Sequence, residues 1–60
     1  MAMNARYVFM HKKLNSILAE LLHADSDLRH GKVIEADDRI IRAIVLGREI
    51  KGEMEADNAT

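Results

Sequence analysis

An apolar repeat runs along most of this chain and is broken once, at His30, Gly31 and Lys32. Before the break, Met3, Tyr7, Met10, Leu14, Ile17, Leu21, Ala24 and Leu28 follow at alternating steps of four and three. After it, Val33, Ala36, Ile40, Ala43, Gly47, Ile50 and Met54 step by three and four. Such spacing lines up side chains along one side of an α-helix. Leu18 and Leu22 widen the first stripe to an ordinary core-facing width. No Pro interrupts either run. Asn4 is a suitable N-cap, and Gly31 a suitable left-handed stop, with Arg29 and His30 in the last turn. The pattern predicts a helix over about residues 4–29, a turn over 30–32 and a helix over 33–52. Gly52 is expected to end the second helix, leaving 53–60 as a frayed acidic tail. Helices joined by so short a turn run antiparallel. The expected fold is therefore all-α: one antiparallel two-helix hairpin domain.

The second helix carries more apolar surface than the first can cover. In "RIIRAIVLG", residues 39–47, six of nine side chains are apolar. A strand reading of this β-branched stretch fails because no turn signal bounds it and no second strand could pair with it. As a helix, its apolar arc exceeds half the circumference, while that of the first helix is below half. A chain of 60 residues buries only about 60% of its unfolded surface. With no Cys to supply a disulfide, oligomerisation is the remaining support. The chain is expected to form a homodimer, two hairpins making a four-helix bundle, with Ile34, Ile40, Ile41, Ile44, Val45 and Gly47 at the dimer interface. Gly47 costs about 1 kcal/mol in a helix interior, and close approach of a neighbouring helix is the expected return.

Charge is uneven although the net charge is only −1. In an antiparallel hairpin, Arg6, Lys12, Lys13, Arg48 and Lys51 gather at the open end. Asp25, Asp27, Glu35, Asp37 and Asp38 gather at the turn. Two readings stand side by side: an antiparallel dimer in which each basic end meets the partner's acidic end, or a basic binding surface for nucleic acid or an acidic protein.

Catalytic and metal constellations are weak. Asp37 and Asp38 are neighbours on a helix and diverge by about 100°. His23 and Asp27 stand four apart but lack the further ligands that zinc wants, and no HExxH pattern occurs. His11 and Asp25 sit beside the first stripe, in the same heptad position as Leu18, where polar groups fix pairing register or reach out to solvent. No enzyme activity, cofactor or metal is expected. No uninterrupted apolar run exceeds four residues, so no membrane association is expected, and a cytoplasmic location is. The expected role is a small interaction or regulatory protein that dimerises and binds another protein, with nucleic-acid binding as the alternative. In shape alone, this architecture resembles the small dimeric helical-hairpin regulators, among them plasmid copy-number RNA-binding hairpins.

Overall fold

The computed structural model of the chain describes residues 5–59, with side chains through Ala56. Two helices, α1 (Ala5–Arg29) and α2 (Val33–Ala59), pack against each other as a hairpin. No strand occurs among the described residues. The expected cap at Asn4 lies outside them.

The turn is set by Gly31, which adopts φ +75°, a region that L side chains rarely enter. Its amide donates to the Leu28 carbonyl (3.1 Å), and the Lys32 amide reaches back to the Asp27 carbonyl (2.7 Å). These two bonds form a Schellman motif, which satisfies carbonyls that the end of α1 would otherwise leave open. His30 Nδ1 donates to the Ser26 carbonyl at 2.7 Å, a second bond to a carbonyl that the His30 amide already reaches at 3.2 Å. The Lys32 carbonyl then accepts from the Ala36 amide (3.0 Å) to start α2.

The seam between the helices is built from small residues. Ala24, Ala36, Ala43 and Ile50 are the buried core among the described residues. Ala36, Ala43 and Ile50 are seven apart, and Met10, Ile17 and Ala24 form the matching row on α1. Alanine on this line lets the two backbones approach closely.

Three expectations need correction. First, α2 does not stop at Gly52 but continues to Ala59. Gly52 stays out of the left-handed region, the Lys51–Glu55 pair at 3.8 Å spans it, and Glu53 is held across the hairpin by Lys13. Second, the expected α1 stripe is only half right. Met10, Ile17 and Ala24 line the seam, but the row beside them is Lys13, Glu20 and Asp27, whose two ends, Lys13 and Asp27, are tied to α2. Leu14, Leu21 and Leu28 remain about half exposed. Third, no close approach occurs at Gly47 within the hairpin: a Cβ added there would meet nothing within 4 Å. Ala43 and Ile50 occupy the row that faces α1, and Gly47 lies one row to the side.

The Cα extents are 45 × 25 × 9 Å, a slab one helix layer thick. The radius of gyration is 14.3 Å, against roughly 10 Å for a compact 60-residue domain.

The two structural readings of glycine give opposite expected outcomes. Gly31→Ala should destabilise by roughly 1–2 kcal/mol, because a Cβ is strained at positive φ. Gly52→Ala should stabilise by about 1 kcal/mol, because the site is open helix interior. Urea denaturation of the two variants measures both signs; a destabilised Gly52→Ala would mean the helix stops there.

Candidate interaction surface

A single layer of two helices has two broad faces, and the side-chain rows decide which residues share each. Take the seam rows as Met10, Ile17, Ala24 on α1 and Ala36, Ala43, Ile50 on α2. A residue one step further along either helix is turned by about 100°. Because the helices are antiparallel, that turn carries both rows to the same face of the slab. Residues one step back fall on the other face.

One face is charged and stitched. Lys13 Nζ donates to Glu53 Oε1 at 2.6 Å and lies 3.6 Å from Glu49 Oε2. Fourteen residues further along α1, Asp27 Oδ2 accepts from Arg39 Nε at 2.9 Å. Both contacts join α1 to α2 and are partly shielded. Between them lies Glu20, level with Leu46 in the same register, with one carboxylate oxygen buried and without a hydrogen-bond partner. Beside Glu20, an open depression of about 350 Å³ is lined by Ile41, Arg42, Val45 and Leu46.

The other face is apolar and uncovered. From α1 it carries Tyr7, Leu14, Leu18, Leu21 and Leu28; from α2, Val33, Ile40, Ile44 and Met54. All but Ile40 are exposed, Tyr7 and Val33 by about two thirds and Leu18 by 59%. The solvent-accessible area, 4982 Å², exceeds by about 1,000 Å² what a compact monomer of 6.8 kDa exposes, roughly 4,000 Å². A standard protein interface takes about 800 Å² from each partner.

The six residues expected at the dimer interface divide between two surfaces. Ile40, Ile44 and Gly47 join the leucines of α1 on the apolar face. Ile34, Ile41 and Val45 lie on the outer side of α2, away from α1, with Ile34 83% exposed. The apolar periodicity alone places Leu14, Leu18 and Leu21 in the hairpin's own core, whereas all three are exposed on the apolar face. The signal for Leu14 and Leu21 is the charged row one step away, in which Lys13 and Asp27 meet opposite charges on α2.

The five basic residues of the open end do not form one surface. Lys13 is engaged by Glu53 and Glu49, and Lys51 approaches Glu55. The continued helix brings these acids back to the basic end. Arg6, Lys12 and Arg48 fall on three different rows. At the other end, Asp25 pairs with Arg29 (3.2 Å) and Asp38 with Arg42 (2.7 Å) along their own helices. No group of three metal-ligating side chains is found among the described residues, and His23 gains no such company. Among those residues no charged or polar one is buried.

Lys13 yields a pH dependence. The Glu53 carboxylate hydrogen-bonded to its ammonium raises its pKa above the ordinary 10.5; the charges of Glu53 and Glu49 add to this, and partial desolvation opposes it. The folded chain thus holds the proton more tightly than the unfolded one. Stability from this contact is complete below about pH 10.5 and is lost as pH rises through the higher folded value. Urea midpoints should therefore fall between pH 9.5 and pH 11.5 by more in the wild type than in Lys13→Met (window roughly one unit either side of the ordinary value). Equal falls would show that the pair does not couple the helices.

No family model, curated protein or solved structure matches this chain.

Proposed function

We propose that this chain is a non-enzymatic interaction protein that works as a homodimer. A second hairpin covers the apolar face to make a four-helix bundle, and the dimer binds another protein along the outer side of α2. The observation that carries the reading is the uncovered apolar face. Each of its large side chains is worth about 1.5–3 kcal/mol on full burial, and a one-layer slab offers them nothing to bury against. Two such slabs, face to face, give the two packed layers that small domains are built from. Ile34, Ile41 and Val45 then remain outside the bundle's centre as an apolar stripe for a protein partner. The nucleic-acid alternative draws no support from the open end, where acids interleave the bases and the remaining cations diverge.

Light scattering at micromolar concentration should give twice the chain mass, and the melting temperature should rise with concentration. Two adjacent substitutions separate the surfaces. Ile44→Asp should yield a monomer, because a carboxylate would be buried between the layers. Val45→Asp should leave the dimer mass unchanged. A concentration-independent wild-type monomer would reject the reading.

A further inference from the structure

The apolar face is not uniformly apolar, and its polar residues follow a pattern. One step past the α1 seam row stand His11, Leu18 and Asp25. One step past the α2 seam row stand Asp37, Ile44 and Lys51. All four polar members of these rows are exposed. Each row therefore carries a basic residue and an acidic one at equal distance from a central aliphatic side chain. Across the slab, His11 and Lys51 lie together toward the open end, and Asp25 and Asp37 together toward the turn. Leu14, Leu21 and Ile40 fill the space between them.

We infer that this face binds a second copy of the chain with the two turns at opposite ends, centred on Leu18 and Ile44. The inference rests on the homodimer reading and adds its geometry. Two copies meeting through this face obey a two-fold axis. With the helices of the two layers close to parallel, as in four-helix bundles, that axis has two directions available. If it runs along the helices, α1 lies over the partner's α2 at the same level. His11 then meets the partner's Lys51, and Asp25 meets the partner's Asp37. Both contacts are between like-signed or both-basic groups, and the acidic one sets two carboxylates together at the edge of an apolar interface.

If the axis crosses the helices, α1 lies over the partner's α1 and α2 over the partner's α2. His11 then meets the partner's Asp25, with Leu18 against the partner's Leu18. Asp37 meets the partner's Lys51, with Ile44 against the partner's Ile44. By symmetry each contact occurs twice, so each of the four carboxylates meets a donor, an imidazole N–H or an ammonium. The present neighbours of these groups do not compete strongly. Asp25–Arg29 and Lys51–Glu55 are pairs along a single helix with side chains mostly in solvent, and such pairs hold weakly. Each carboxylate can also accept from a second donor.

The chain contains no Cys, so single thiols introduced at the centre of each row report the axis. Leu18→Cys and Ile44→Cys are exposed in the hairpin, and neither removes a core residue. In the full-length chain each variant alone should oxidise to a covalent dimer, because a position facing its own symmetry mate brings the two Cα atoms within disulfide reach, roughly 5–6 Å. If instead neither variant closes alone and their mixture closes as an 18–44 heterodimer, the inference is overturned and the axis runs along the helices.

Charge reversal gives an independent sign. Lys51→Glu should weaken the dimer by roughly threefold to thirtyfold, two contacts being lost by symmetry. Adding Asp37→Lys to it should restore most of that loss, and both effects should shrink as salt is raised. Tighter association of Lys51→Glu would overturn the inference, since only the other axis sets Lys51 against a basic side chain. A wild-type chain that remains monomeric would overturn the homodimer reading itself, whereas a dimer with the other cross-link pattern would overturn the pairing alone.

Discussion

Everything in this structure follows from the seam of Ala24, Ala36 and Ala43. Alanine loses little conformational entropy on burial and lets helices come close. It also contributes little apolar area. The seam therefore decides the geometry of the hairpin without supplying a large core. With a slab only 9 Å thick between Cα extremes, every longer side chain beside the seam opens onto one face or the other. The large residues Leu14, Leu18, Leu21 and Ile44 are spent on a surface rather than on the contact between the two helices. A chain built this way separates the choice of hairpin from the covering of its apolar surface.

The two faces divide that work. On one, Lys13 with Glu53 and Asp27 with Arg39 tie the helices at points near each end of the layer. These pairs are partly shielded, so they are less screened than the exposed pairs along single helices. Their main effect is on register: a one-turn slip of α2 against α1 would break both and would leave Asp27 and Lys13 without their partners. Glu20 carries the cost of this arrangement, with one carboxylate oxygen buried and without a hydrogen-bond partner. Replacement of the row by leucines would bury more area but would also make both faces apolar and remove the contacts that fix the register.

The hairpin was legible in the sequence because its signals are local. A three-and-four repeat, a glycine at the break and cations before it each act within a few residues of one another. The faces were harder to read because they depend on rotation of one helix against the other. Leu14 and Lys13 are adjacent, and either could flank Ile17 in a seam. Only the charges on α2, Glu49, Glu53 and Arg39, select Lys13, and that requires the register of the folded hairpin. The glycines show the same division. Gly31 and Gly52 are each followed within a few residues by a charged side chain, and sequence alone treats both as stops. Gly31 has a Schellman pair of hydrogen bonds that spend the last carbonyls of α1. Gly52 has Glu53 one step on, held by Lys13, so continuing the helix gains a contact that stopping would lose.

That last contact changes what the acidic end of the chain does. In a tail, Glu53 and Glu55 would be solvated charges remote from the basic residues. In a continued helix they return to the open end and sit among Lys13 and Lys51. The hairpin's end-to-end charge separation is thereby reduced, and what survives is finer: basic residues at His11 and Lys51 and acidic ones at Asp25 and Asp37, all on the uncovered face. Polarity of the whole molecule acts over many ångströms and fades with salt. Polarity within an interface acts at contact distance, where a misplaced like-charged pair cannot be relieved by solvent. The acids that the continued helix brings back thus offset part of the open end's positive charge, and His11, Asp25, Asp37 and Lys51 remain as the polar pattern of the uncovered face.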